Sequence, residues 1–246
     1  MIKPRPARLA PLSVVIPVRN EAARLPQLLA DLAVAPSSLL REVWVVDGGS
    51  GDLSPALARL GGARLLQAGG GRGGQLRHGA AVACAGSDDD AWILLLHADL
   101  RLPPGWPVLV EQAMAAGGGG VWAFPLAIEA AGPWLTLVAW LSNLRARLRQ
   151  LPYGDQGLLL SCGLYRRSGG VAPLPLMEDL EFVLRLRRLT SIRLLARPLR
   201  VDGRRWRRLG VLRTAWSNAG LRRAWRRGVD PLELARRYDG RSAAET

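Results

Sequence analysis

His97 and Asp99 close an apolar run, Leu94-Leu-Leu-His-Ala-Asp99. In extended chain, residues two apart point the same way, so this imidazole and carboxylate share one side and can hold a divalent cation against phosphates. Substrate oxygens and water must complete such a site, and an ordinary strand-end pair explains the spacing equally well. A second acidic group lies at Glu178-Asp179, inside Pro175-Leu-Met-Glu-Asp-Leu-Glu-Phe182. Acids at a helix start are stabilised by the macrodipole without any function. A carboxylate there that faces the same sheet edge can instead act as a general base. Asp155 and Gln156, in Tyr153-Gly-Asp-Gln-Gly157, precede an apolar strand near that edge.

Two further patterns suit phosphate and nucleoside. Gly69 to Gly74 surround Arg72 and lead into a helical stretch. Glycines at a helix start expose amides and the positive end of the dipole, and Arg72 adds a bidentate donor. The Lys-Ser/Thr of a P-loop is missing, which argues against ATP hydrolysis of that type. Val15-Ile-Pro-Val-Arg-Asn-Glu21 and Val45-Val-Asp-Gly-Gly-Ser50 each follow an apolar run with polar residues. Asp47 is placed to accept from a base N–H or a ribose hydroxyl, or, with Ser50, to cap the next helix.

These residues need elements that bring them to one rim. Short apolar runs alternate with helical patterns, as in a mostly parallel sheet with crossover helices. Strands are expected at Leu12 to Ile16, Val43 to Val46, Arg64 to Gln67 and Trp92 to Leu96. Leu25, Leu28, Leu29 and Leu32 fall at helical spacing, with Pro26 in the first turn. Further helices are expected over Gly73 to Ala85 and Asp179 to Leu189. In an open α/β sheet ligands collect beyond the carboxyl ends of the strands, where Asn20, Glu21, Asp47, His97 and Asp99 fall.

The 246 residues suffice for one full-sized α/β domain, and 49% apolar against 22% charged residues excludes global disorder. The formal charge of +14 suggests a nucleic-acid binder, but residues 185–227 hold 15 arginines and one acid, which accounts for the whole excess. The remainder is neutral, so a nucleic-acid partner is disfavoured. Cys84 and Cys162 are the only cysteines, too few for a disulfide framework or a thiolate zinc site, and reduced thiols are expected. No signal peptide is expected, because Pro17 and Arg19 interrupt the first apolar run and no small-residue cleavage site follows. Across Met114 to Leu144 the only charge is Glu129, yet four glycines and two prolines argue against a membrane span. A strand and a short helix are expected there.

Taken in order, Ile-Pro-Val-Arg-Asn-Glu, Val-Val-Asp-Gly-Gly-Ser, Gly-Arg-Gly-Gly-Gln, His-Ala-Asp and Glu-Asp resemble the inverting glycosyltransferases of family 2, from about Leu12 to Trp206. The resemblance implies a GT-A nucleotide-diphospho-sugar transferase fold of class α/β, a Rossmann-like mostly parallel sheet with flanking helices. It implies a catalytic domain over 1–200, with 201–246 as a basic Arg/Trp-rich helical extension packed on it. Pro17, Asn20, Glu21 and Asp47 would line the nucleoside pocket, and Arg72 would approach the base or diphosphate. Asp99, last of a DxD-like triplet, would bind Mg²⁺ or Mn²⁺, while His97 stands where the first aspartate is usual, on the nucleotide-sugar side. Asp179 matches the family's catalytic base, supported by Glu178. Asp155 and Gln156 fall on the acceptor or diphosphate side with Arg205 and Trp206, whose Asp202-Gly-Arg-Arg-Trp206 is similar to the Gln-x-x-Arg-Trp of processive members.

The activity so implied is transfer of a sugar from a nucleotide-diphosphate sugar, UDP- or GDP-linked, to an acceptor hydroxyl, with a lipid-linked acceptor among the options. The setting implied is cytoplasmic, with a peripheral position at the inner face of the cell membrane open. A rival reading is a catalytically inactive GT-A-like protein that binds an anionic membrane or polyanion through the Arg-rich tail with Trp206, Trp216 and Trp225. Sugar nucleotidyltransferase activity is disfavoured, because Pro17-Val-Arg-Asn20 stands where a glycine-rich Arg loop would follow the first strand.

Overall fold

The computed structural model describes residues 12–117, 119–129, 132–203 and 210–243. Its strands are β1 (Leu12–Val18), β2 (Leu40–Asp47), β3 (Arg64–Gln67), β4 (Trp92–Leu95), β5 (Leu100–Arg101), β6 (Val121–Ala123), β7 (Leu126–Glu129), β8 (Leu158–Ser161), β9 (Ile192–Leu194) and β10 (Leu199–Asp202). The helices are α1 (Leu25–Ala33), α2 (Ser54–Leu60), α3 (Gly71–Cys84), α4 (Trp106–Ala115), α5 (Pro133–Arg149), α6 (Cys162–Arg167), α7 (Glu178–Leu189), α8 (Val211–Arg226) and α9 (Pro231–Ala243). A seven-stranded sheet runs β3-β2-β1-β4-β8-β6-β9, and a three-stranded sheet runs β5-β10-β7.

Strands β3, β2, β1 and β4 are parallel, and β8 enters antiparallel between β4 and β6. The four strands expected from apolar runs are all present, with β1 reaching Val18 and β2 beginning at Leu40. Side chains alternate across the sheet. Val14, Ile16 and Val18 of β1 enter the core under α1 and α4, while Val15 enters the core under α3 and α7. Such a doubly covered strand reads as an unbroken apolar run, which is why Leu12–Val18 is buried throughout. The antiparallel entry of β8 sets Leu158 opposite Leu95, so the turn before β8 lies at the carboxyl end of β4.

Helix α3 packs closely because of its glycines. A Cβ on Gly79 would sit 2.6 Å from Val15 and Val46 side-chain atoms, and one on Gly73 would sit 2.4 Å from the Leu174 carbonyl oxygen. Gly73 therefore lets residues 172–174 lie against the helix start.

Two expectations, on α5 and on the cysteines, are revised. Helix α5 is 17 residues long rather than short, and among the described residues no helix is long and apolar enough to cross a membrane. Strand β10 runs through residue 200, so a boundary at that point would cut the smaller sheet; beyond it, α8 and α9 bury Leu221 and Leu234 in the same core as Phe182. Reduced cysteines are replaced by a disulfide between Cys84 and Cys162, with a Cα separation of 5.5 Å. Their separation of 78 residues gives no spacing signature, and only the fold brings the ends of α3 and β8 together.

Candidate active site

Five segments distant in sequence meet at one cavity of about 260 Å³ lined by Arg72, His97, Asp99, Asp155, Asp179 and Asp202, among others. Arg72 comes from the first turn of α3, and His97 and Asp99 from the link between β4 and β5. Asp155 sits in a 3-10 turn, Gly154–Gln156, placed beside β4 by the antiparallel pairing of β8. Asp179 lies in the first turn of α7, and Asp202 ends β10.

Glycine at 154 makes the convergence possible. A Cβ there would fall 2.7 Å from His97 Nε2 and 3.2 Å from Asp179 Cβ. The Gly154 N–H donates to Asp179 Oδ2 at 2.9 Å, and the Leu180 N–H donates to Oδ1 at 2.7 Å. Burial alone would raise the Asp179 pKa. The Arg72 charge and these N–H groups outweigh it and hold the carboxyl below its ordinary value, so Asp179 is ionised at neutral pH.

His97 is the opposite case. Burial first, then the positive charge of Arg72, push its pKa down to about 3 against the pull of Asp179, so the imidazole is neutral. Its Nε2 is buried with no hydrogen-bond partner among the described residues, as is Oδ1 of Asp155. Burial, then the neighbouring Asp179 and Asp99 charges, raise Asp155 to about 6, although Arg145 and Arg72 oppose them.

Arg72 forms an ion pair with Glu178, whose carboxylate is completely buried. Burial raises the Glu178 pKa and Arg72 opposes the rise. Glu178 thus acts on the cavity through Arg72 instead of lining it. Met177, just before α7, has φ +67°, a left-handed turn that starts the helix beside α3. Arg24 pairs with Asp202 at 2.6 Å and ties the end of β10 to the start of α1.

The residues expected around a nucleoside gather at the ends of β1 and β2. Asn20 has φ +58°, its Oδ1 accepts from the Gly51 N–H at 2.8 Å, and its own N–H donates to Ser50 Oγ at 3.0 Å. The Glu21 N–H donates to Ser54 Oγ at 2.8 Å. Asp47 is buried and accepts from the N–H groups of Gly49 and Ser50 at 3.2 Å. Pro17 sits between them on β1, with Val46 as its register partner. None of these four is among the residues that line the 260 Å³ cavity.

Two expected roles change. Gln156 is fully buried, and its amide donates to the Phe124 carbonyl at 3.0 Å, so it braces the sheet and does not reach an acceptor. The start of α3 is packed against residues 172–175, so Gly73 serves close approach rather than an open phosphate cradle. Arg205 and Trp206 lie outside the described residues. Sequence patterns did not single out Arg145 and Arg222, whose guanidinium carbons stand 3.6 Å and 5.2 Å from the Tyr153 ring centroid. Arg145 follows the apolar spacing of α5, a signal visible only once that helix is known to be long.

Among the described residues no group of three or more His, Cys, Asp or Glu side chains is arranged so that it could hold a metal ion by itself. One carboxylate and a neutral imidazole whose Nε2 has no hydrogen-bond partner among the described residues fit the mode in which Mg²⁺ or Mn²⁺ keeps water and takes most remaining ligands from substrate phosphates. Asp99, with His97 beside it, would hold the ion in that mode.

The model of glycosyl transferase family 2 matches residues 13–169. An undecaprenyl-phosphate 4-deoxy-4-formamido-L-arabinose transferase from Pseudomonas aeruginosa is 34% identical over 197 residues, covering 74% of this chain and 54% of that protein. The chain therefore spans about half the length of the curated relatives it matches. Among solved structures, S. aureus TarS in complex with UDP superposes with a TM-score of 0.60 at 16% identity, over 78% of this chain and 60% of the other. Glucosyl-3-phosphoglycerate synthase from Mycobacterium tuberculosis, in complex with Mn²⁺, UDP and glucosyl-3-phosphoglycerate, superposes at 0.53 with 22% identity, over 78% and 70%. At those identities the likeness is one of fold, and the fold is the GT-A glycosyltransferase fold.

Proposed function

The chain belongs to glycosyl transferase family 2, and from that premise we propose that it moves a sugar from a nucleotide-diphosphate donor, UDP- or GDP-linked, to an acceptor hydroxyl by a single displacement with inversion. The observation that carries this reading is the meeting of Arg72, His97, Asp99, Asp155 and Asp179 around one cavity.

The acceptor oxygen forms its bond to the anomeric carbon as the bond to the donor diphosphate breaks, and the hydroxyl proton passes to Asp179. Two backbone N–H groups hold Asp179 in place, and it is ionised before the acceptor arrives. Arg72, kept charged and oriented by buried Glu178, contributes positive potential where the diphosphate leaves. A divalent cation held by Asp99 would supply charge neutralisation to the leaving diphosphate. The Asn20 and Asp47 loops form the nucleoside side. A lipid-linked acceptor and a peripheral position at the cytoplasmic face of a membrane belong to the same reading.

Asp179→Asn tests it. The variant is expected to keep thermal stabilisation by its donor, measured across nucleotide-diphosphate sugars with Mn²⁺ and with chelator, while turnover falls by ~10²- to 10⁴-fold. Full turnover by this variant would remove Asp179 as the base. Absence of stabilisation by every nucleotide sugar would remove the transferase reading.

A further inference from the structure

The matched family region ends at residue 169, yet part of the 260 Å³ cavity is built by helices that lie beyond it. Thr214, Asn218, Leu221 and Arg222 of α8 line it, at spacings that fall on one helix face, and Tyr238 of α9 joins them. That face is held from inside. Leu221 is buried in the core that contains Phe182, and the Thr214 hydroxyl donates to the Gly210 carbonyl at 2.8 Å. Arg222, the next residue, is thus carried on a firmly placed wall.

Two arginines line this cavity, and they differ in their partners. Arg72 is ion-paired with Glu178. Arg222 has no carboxylate within ion-pair distance among the described residues, and its guanidinium carbon stands 5.2 Å from the Tyr153 ring centroid. Tyr153 carries Arg145 as well, at 3.6 Å. Arg145 is anchored, because its Nε donates to the Leu151 carbonyl at 3.0 Å, and it lines the neighbouring cavity of about 510 Å³ but not this one. Two guanidinium groups that share a ring repel each other, so an anion on the cavity side of Arg222 is favoured. The same cavity carries Asp99, Asp155 and Asp179, and a diphosphate entering it meets repulsion that a cation without its own partner offsets. Position within the site selects which phosphate is met. Pro17, Asn20, Glu21 and Asp47, on the nucleoside side, do not line this cavity, whereas Asp179 does. Arg222 therefore stands at the reacting end.

We propose that Arg222 binds the sugar-bearing phosphate of the donor and stabilises the diphosphate as it leaves. The assignment deepens the transferase reading and rests on it. As the bond between the anomeric carbon and the phosphate oxygen breaks, its electron pair stays with the diphosphate, and a guanidinium fork donates to two phosphate oxygens at once. Tyr153 is a positioning residue here, since its ring gives the guanidinium a face to lie against. Helix α8, outside the matched region, thereby supplies a group to the chemistry.

Calorimetric titration of the full chain with UDP, UMP, GDP and GMP, each with Mn²⁺, isolates the contribution of the second phosphate. Wild type is expected to bind one of the two diphosphates. Arg222→Gln is expected to weaken that diphosphate about tenfold while changing the matching monophosphate by less than about twofold. Arg222→Lys keeps the charge and loses the fork, and is expected to be about threefold weaker than wild type. A merely structural role would lower both ligands together. Equal weakening of diphosphate and monophosphate, or unaltered diphosphate affinity in Arg222→Gln, overturns the assignment and leaves the transferase reading in place. Wild type that binds neither a diphosphate nor any nucleotide sugar overturns both.

Discussion

Two stretches of one sheet rim treat their polar groups in opposite ways. Beyond β1 and β2, the side chains of Asn20, Asp47, Ser50 and Ser54 all accept hydrogen bonds from backbone N–H groups, at 2.8 to 3.2 Å. Beyond β4, in the turn before β8 and at the start of α7, His97 Nε2, Asp155 Oδ1 and Glu178 Oε2 are buried with no hydrogen-bond partner among the described residues. A satisfied hydrogen bond contributes about 1 kcal/mol, whereas a buried group left unsatisfied costs about 1–3 kcal/mol. The first stretch is thus a frame completed by its own chain. The second is costly by itself, and that cost is tolerable where a ligand offsets it. Polar residues at a rim are therefore not equivalent: those already bonded to their own backbone hold the geometry, whereas His97 and Asp155 carry unpartnered atoms and line the cavity, with Glu178 behind Arg72.

The sharpest way to break this contrast is Arg72→Met. It leaves Glu178 buried without its ion-pair partner, and loss of one member of a buried pair is expected to cost about 3 kcal/mol, the low end of the usual range because Arg72 is partly exposed. The sign with pH follows from burial, which already raises Glu178 and is then unopposed by Arg72. The folded variant keeps a proton that the unfolded chain releases, so the deficit grows as pH rises and shrinks in acid. Urea unfolding at pH 5 and pH 8 measures it, and Arg72→Met/Glu178→Leu is expected to recover most of the loss. A variant as stable as wild type at pH 8 means that the second stretch carries no special cost.

A smaller effect of opposite sign is expected at Asp155. Its carboxyl is raised to about 6 in the fold, so between about pH 4 and pH 6 the folded chain holds a proton that the unfolded chain has lost. Stability falls as pH rises through that window, and the full penalty applies above it. Asp155→Asn removes the penalty. Without metal, it is expected to be more stable than wild type above pH 6 by about 1–2 kcal/mol, reduced from the full shift because the side chain is partly solvated. The two proteins should converge near pH 4. A stabilised variant with reduced turnover would mark Asp155 as a group whose strain serves function.

Much of the frame was legible in the sequence, because it is local. Strands buried on both faces give unbroken apolar runs, Pro26 fixes the start of α1, and His97 and Asp99 follow directly from the end of β4. What depended on pairing distant strands was not legible. Antiparallel entry of β8 is what carries Asp155 to the end of β4 and turns Gln156 inward onto the Phe124 carbonyl. The disulfide and the Arg145–Tyr153–Arg222 cluster likewise join segments with no shared spacing. The glycines around Arg72 read as a phosphate cradle because a loop crossing the start of α3 at 172–175 leaves no trace in local composition.

Asp47 supplies the weakest and most discriminating test of the contrast. Its carboxylate closes a turn through two bonds of 3.2 Å to Gly49 and Ser50, at N–H groups that are not fully buried. Water can replace a lost acceptor there, so Asp47→Ala is expected to cost only about 1 kcal/mol. Asn keeps one carbonyl oxygen for the same turn, so Asp47→Asn should cost less than half of that. Urea midpoints at constant m-value read both changes. If Ala and Asn are equally costly, the negative charge and not the turn is what the site requires, and the β1–β2 stretch would then belong with the reactive side of the rim. If both are neutral to stability yet abolish stabilisation by nucleotide sugar, Asp47 is held for the ligand despite its satisfied bonds. An ordering with Ala worse than Asn, and donor binding weakened in step, leaves Asp47 as a support that shapes the nucleoside side through the backbone.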